Sequence, residues 1–126
     1  MVPKLQLRAA MVVAFIAVTA WSNARAEEIP LVTGQHWTKA SAEEKKAYLI
    51  GIANVLQVES AYHSDNPPSD AHSVVPRMGR GLKGQTIDSA RETLDRWYAG
   101  HPDRIGRPVI ETIWFELVVP GLQKNK

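Results

Sequence analysis

The sequence predicts an all-α fold, a small single-domain helical bundle with about three main helices and a long ordered connecting loop. Apolar residues recur at helical spacing in three stretches, at about 42–62, 86–100 and 108–119, which is the pattern of helices that pack on a core. Helix-starting residues precede these stretches, and glycine and proline follow the second and third. About a hundred residues remain once the N-terminal segment described below is set aside, the length of one domain with a modest core.

The first helix is predicted from its N-terminal cap. Ser41 followed by Glu44 is a capping box, in which each side chain accepts a backbone N–H of the other residue. Gly51 lies inside the helix, where glycine is unfavourable, and we expect it to permit close approach of another helix, with a kink as the alternative. Glu59 lies in the apolar register, either at its solvent edge or half-buried against an arginine. The side chains predicted to face the core are Tyr48, Leu49, Ile52, Val55, Leu56 and Tyr62.

The second and third helices have clear predicted ends. Thr86 is an N-cap, and Gly100 with Pro102 ends the second helix. Pro108 suits the first turn of the third helix, and the Pro-Gly pair at 120–121 is predicted to terminate it. The third helix is apolar almost all round. It therefore either lies at the centre of the core or buries a second face on a partner or a second copy of the chain.

Two segments are predicted to contain no helix. Residues 27–39 read as an irregular arm, with Leu31, Val32 and Trp37 docking on the core. Residues 63–85 contain three prolines and three glycines, which leave no room for a helix of useful length. A connection this long is unusual in a small domain and is either functional or held in place by its own side chains.

The first 26 residues are predicted to be a cleaved signal peptide. Lys4 and Arg8 precede an uncharged apolar stretch from Ala9 to Ala20, and an Ala-Arg-Ala cleavage pattern follows at 24–26. The stretch is shorter than the roughly 20 residues of a membrane-spanning helix, and an uncleaved anchor is the alternative. We therefore expect residues 27–126 to be a periplasmic or secreted helical domain with no membrane attachment after cleavage.

Composition argues against several classes of function. The chain has 15 basic and 13 acidic residues, and without the three basic residues of the leader its formal charge falls from +2 to −1. No basic surface for nucleic acid is expected. The absence of cysteine excludes thiol catalysis, redox exchange and thiolate zinc sites. No phosphate loop or dinucleotide motif is present, and we expect no cofactor.

The segment HSDNPPSDAH, residues 63–72, places a histidine and an aspartate at each end of a proline turn. His63, Asp65, Asp70 and His72 are residue types that bind zinc or similar ions. Asn, Asp, Ser and Pro are equally the residues of any solvated turn, and nothing in the sequence marks the groups that normally hold a metal-binding imidazole. We predict a solvated loop that contacts a partner, and no metal site.

Catalytic motifs are weak. No serine lies in a Gly-x-Ser-x-Gly elbow. Glu59 with Glu111 or Glu116 is a candidate carboxylate pair for glycoside hydrolysis, but acids on separate helices often pair by chance. We predict no catalytic residues and no enzyme.

A series of turn and helix-end features extends over most of residues 27–126. The features are Val75-Pro76, Gly84-Gln85-Thr86, Trp97-Tyr98, His101-Pro102, Pro108 and Pro120. This pattern resembles that of the Rap/Tai-type immunity proteins of type VI secretion, and GQHWTKASAEEKKAYLIGIANVL is similar to the start of many small exported helical domains. The family pattern carries cysteines near the positions of Val75 and Gly121, and this chain has none. The resemblance implies a periplasmic all-helical protein that blocks a peptidoglycan amidase effector and often dimerises.

The leading hypothesis is an exported binding protein that occludes such an amidase, with a homodimer as a further assembly. The alternative is a periplasmic small-ligand or metal-binding protein that uses the same loop, and a hydrolase built around Glu59 ranks third. Exposed polar groups on a loop commonly carry recognition. The residues predicted to contact the partner are His63, Asp65, Asp70, His72, Arg77 and Arg80.

Overall fold

The computed structural model describes residues 28–65 and 73–125, which contain five helices and no paired strands. The all-α prediction is confirmed, and the predicted signal peptide lies outside the described residues. No helix in the described ranges has the length and apolar character needed to cross a bilayer. The helices are α1 (Gly34–Lys39), α2 (Ala42–Tyr62), α3 (Val74–Gly81), α4 (Ile87–Gly100) and α5, which comprises Val109–Ile113, a π-helical stretch Trp114–Val118, and Val119–Lys124.

The predicted caps of α2 and α4 are confirmed. The Ser41 backbone N–H donates to the Glu44 carboxylate at 2.7 Å, and the Glu44 N–H donates to the Ser41 hydroxyl at 3.2 Å. These bonds to Ser41 lower the pKa of the Glu44 carboxyl below its ordinary value. Thr86 caps α4 in the same way, accepting from the Ser89 N–H at 3.0 Å.

Two predictions of irregular structure were wrong. Residues 27–39 contain the six-residue helix α1, in which Trp37 is buried at 2% exposure. The long connection 63–85 contains α3, since Pro76 falls in its first turn, where a backbone N–H has no helical partner to lose. The prolines of this connection were taken to exclude a helix because the sequence does not show that Pro76 falls in a first turn.

The prediction that the third helix ends at 120–121 was also wrong. The Val119 N–H donates to the Trp114 carbonyl, five residues earlier, as in a π-helix. Pro120 follows this wide turn and occupies the start of the next α-helical segment, so the helix continues past the proline. The helix continues to Lys124, and this extension packs on α3.

The core lies where α4 and α5 meet α1, α2 and α3. Its buried side chains come from all five helices, and Val109, Leu94 and Val118 are fully buried. The segment before α1 is tied to the start of α5, because the Val109 N–H donates to the Val32 carbonyl at 2.8 Å and the Gly34 N–H to the Arg107 carbonyl at 3.1 Å. No disulfide contributes, since the chain has no cysteine.

Two polar contacts organise this core. The buried Tyr98 hydroxyl lies 2.9 Å from the Arg107 carbonyl and 3.0 Å from the Thr112 hydroxyl, and burial raises the pKa of Tyr98. One turn earlier on α4, the Asp95 carboxylate accepts hydrogen bonds from the Trp37 indole and the Lys45 ammonium, each at 2.9 Å. Asp95 thus links α1, α2 and α4.

The face of α2 that packs on the core is rotated from the predicted one. Leu49 is buried, and Ile52 and Leu56 are half-buried against the core. Val55 and Tyr62, predicted to face the core, are exposed at 58% and 82%. Gly51 is exposed as well, and a methyl group there would meet no atom within 4 Å, so the expected close approach of another helix does not occur.

Candidate functional site

A large open groove runs along α2, with α3 and the start of α4 as its other wall. Its volume is about 840 Å³, within the roughly 300–1,000 Å³ typical of ligand sites. Its surface is mostly apolar. The floor is formed by Leu49, Ile52, Leu56, Leu82, Ile113 and Leu117. We refer to this feature as the groove.

The rim of the groove carries charge on both walls. On α2, the His63 imidazole lies 3.3 Å from the Glu59 carboxylate, and both side chains are 30% exposed. The i,i+4 spacing on one helix brings these two groups together. On the opposite wall, Arg80 and Lys83 line the groove where α3 ends.

Lys83 stands at a tight turn between α3 and α4. The Gln85 N–H donates to the Leu82 carbonyl at 2.9 Å, and Gly84 adopts a positive φ of 87°, a conformation that favours glycine. This turn sets the direction of the chain between α3 and α4, which form one wall of the groove. The sequence therefore encodes the basic end of the groove partly through Gly84.

The structure brings only some of the predicted contact residues together. His63 and Arg80 line the groove, while Asp65 is exposed just beyond α2. Arg77 is half-buried, with its guanidinium 5.1 Å from the Trp114 ring centroid. Asp70 and His72 lie outside the described residues.

In the described part of HSDNPPSDAH, the contacts of His63 bear on the question of a metal site. His63 is paired with Glu59 and packs edge-on to the Tyr62 ring at 4.9 Å. Among the described residues, no cluster of three or more His, Asp or Glu side chains has the arrangement of a metal site. The imidazole therefore already has a carboxylate partner.

The carboxylates considered for hydrolysis lie in two separate polar clusters, with Glu59 in one and Glu111 and Glu116 in the other. Glu59 contacts His63, while Glu111 and Glu116 both contact the Arg107 guanidinium, each at 3.3 Å. Arg107 also lies 4.8 Å from the Trp97 ring centroid. This arrangement braces α4 against α5 and leaves each acid engaged with a cation or an imidazole.

Sequence reasoning did not find the groove or the second apolar surface of α2. No charged residue lies between Lys46 and Glu59, so α2 is apolar on both sides. The side turned away from the core, which we call the outer face, comprises Ala47, Ile50, Gly51, Asn54, Val55, Val58, Ala61 and Tyr62, all exposed. A helix apolar all round that is not at the centre of the core was the signal available.

Comparison of the chain with protein-family models, with curated proteins and with solved structures gives no significant match.

Proposed function

We propose that this chain is an exported binding protein without catalytic activity, which acts in the periplasm by covering the substrate cleft of a peptidoglycan amidase. The outer face of α2 is the observation that carries the proposal. Val58 is 70% exposed and Tyr62 is 82% exposed, and large apolar patches of this kind commonly mark protein-interaction sites.

The end of the outer face has the composition of an interface centre. The Tyr62 ring is exposed and packs edge-on to the His63 imidazole, and the exposed Asp65 follows three residues later in the chain. Tyrosine and arginine are enriched among residues that dominate binding energy, and a polar rim usually surrounds them. Val74, at the start of α3, adds a further apolar side chain at 55% exposure. His63, one of the contact residues predicted from the sequence, thus packs against an exposed aromatic side chain that was expected to face the core.

The experiment combines the whole chain with a panel of purified peptidoglycan amidases and measures peptidoglycan hydrolysis. One amidase should lose activity at a one-to-one ratio, and Val58→Lys should abolish the inhibition by placing a charge in the contact. Ala99→Lys is the matched control, because Ala99 is an exposed residue on α4. The proposal fails if no amidase is inhibited, or if both variants lose inhibition equally. The mass of the exported chain would show whether residues 1–26 are removed.

A small-ligand function is the second candidate, and the groove supports it. Its volume of about 840 Å³ and its apolar floor suit an apolar small molecule. A metal ion bound by His63 and the segment beyond it would instead raise the unfolding temperature in a titration with zinc.

A further inference from the structure

The groove is long as well as large. The α2 residues that line it begin at Leu49, and His63 and Ser64 continue the lining beyond the end of α2. From Leu49 to the helix end at Tyr62, a rise of 1.5 Å per residue gives about 20 Å of helix. A compact ligand would leave most of that length in contact with water. An extended chain of methylene groups would cover the length of the groove. Each methylene buried there would contribute about 0.8 kcal/mol to binding.

The charges around the groove favour an anion at one end. Among the described residues that line it, Arg80 and Lys83 are basic and Glu59 is acidic. The Glu59 carboxylate is already engaged by His63 at 3.3 Å. Within residues 28–65 and 73–125, the Lys83 ammonium has no carboxylate within salt-bridge distance. Lys83 directly follows Leu82, which belongs to the apolar floor.

We propose that the groove binds a single-chain anionic amphiphile, such as a free fatty acid, with its chain along the floor and its carboxylate at Lys83. This site goes beyond the proposed protein contact, because it uses the inner side of α2 and the end of α3 rather than the outer face. An ammonium group on the ligand would be repelled by Lys83. A neutral head group would gain no charge-assisted hydrogen bond there.

Two matched pairs of variants test the site in the whole chain. Gly79 lines the groove and Gly51 lies on the outer face, and a methyl group at either would meet no atom within 4 Å. Gly79→Leu should therefore fill the groove, and Gly51→Leu should leave it open. Lys83→Gln removes the charge at the groove, and Lys39→Gln removes an exposed one at the end of α1.

The assay is displacement of 1-anilinonaphthalene-8-sulfonate by decanoate, laurate, myristate and palmitate below their aggregation concentrations. Affinity should rise about fourfold for each added methylene until the groove is filled. Lys83→Gln should weaken laurate about tenfold or more and leave dodecanol unchanged, whereas Lys39→Gln should alter neither. Gly79→Leu should abolish binding, and Gly51→Leu should preserve it.

Each contrary outcome overturns a stated part of the proposal. If affinity does not depend on chain length, the apolar chain of the ligand does not lie along the floor of the groove. If Lys83→Gln weakens laurate and dodecanol equally, the carboxylate does not contact Lys83. Equal binding by Gly79→Leu and Gly51→Leu would place the ligand elsewhere. Sedimentation with phosphatidylglycerol vesicles without binding of monomeric acids would replace the ligand by a membrane surface. If one variant fails to fold by circular dichroism, the other pair decides. Val58→Lys should not change fatty-acid binding, so this proposal and the amidase proposal can fail separately.

Discussion

The Asp95 carboxylate should contribute more to stability than any other exposed or half-exposed acid in the described residues. Asp95→Ala would leave the Trp37 indole N–H without its acceptor in a side chain that is 2% exposed. It would also leave the Lys45 ammonium, 15% exposed, without its carboxylate. Each hydrogen bond to a charged group is worth about 1.5–3 kcal/mol. Because Asp95 is 35% exposed, solvent screens part of this, and we expect a total loss of about 2–3 kcal/mol.

Urea unfolding, followed by far-ultraviolet circular dichroism, measures this loss as a lower midpoint with an unchanged slope. For a domain of this size it corresponds to a fall in Tm of about 10–20 °C. Asp95→Asn should cost about half as much, since the amide oxygen still accepts from Trp37. Asp88→Ala is the control on the same helix, because Asp88 is 63% exposed and its contact with Lys46 is 3.5 Å. Its loss should not exceed about 1 kcal/mol.

Equal destabilisation by Asp95→Ala and Asp88→Ala would refute the reasoning. It would mean that the Asp95 contacts offset only the cost of dehydrating their own groups. A double-mutant cycle with Lys45→Met would then give a coupling energy near zero.

Two further predictions concern the core. Gly121→Ala should lower the free energy of unfolding, measured in urea, by at least about 2 kcal/mol, because the new Cβ would overlap the Gly81 carbonyl where α3 crosses α5. Gly100→Ala is the control, because its Cβ would have open space and the change should be neutral or stabilising. Burial raises the pKa values of Tyr48 and Tyr98 above the ordinary value of 10.0. The folded state therefore retains protons that the unfolded state loses. The contribution of these two tyrosines to stability should be constant below about pH 10 and fall as pH rises through the folded pKa values. Unfolding at a series of alkaline pH values should show a shallower fall for Tyr48→Phe, and an unchanged slope would contradict this.

Helix existence could be predicted wherever caps and composition agree. Ser41 and Thr86 start α2 and α4 as expected, because a capping box depends only on residues within one turn. Pro76 and Pro120 were misread because their effect is not determined by residues within one turn. The effect of a proline depends on its position in the helix and on the local hydrogen-bond register, and a π turn is not encoded in any short motif.

The orientation of α2 could not be predicted from periodicity. Because no charge interrupts Ala47 to Val58, Leu49 and Val55 look equally suited to the core, and packing alone decides that Leu49 is buried. The groove was missed for the same reason, since it exists only where α2, α3, α4 and α5 meet without filling the space between them. His63 and Arg80 were chosen as exposed polar groups, and their shared position at the groove depends on the fold of a connection predicted to lack a helix.

If the outer face and the groove are kept for binding, substitutions there should stabilise the fold while abolishing binding. Gly79→Leu exchanges a poor helix former for a good one in open space, a gain of about 0.5–1 kcal/mol, and its side chain would cover part of the apolar floor. Val58→Lys replaces a side chain that is 70% exposed by a better helix former, a gain of a few tenths of a kcal/mol. Urea unfolding of both variants measures these gains, and loss of function with gain of stability is the expected trade-off at a binding surface. A loss of more than about 1 kcal/mol in either variant would show that the residue packs within the fold, and the surface assigned to it would then be structural.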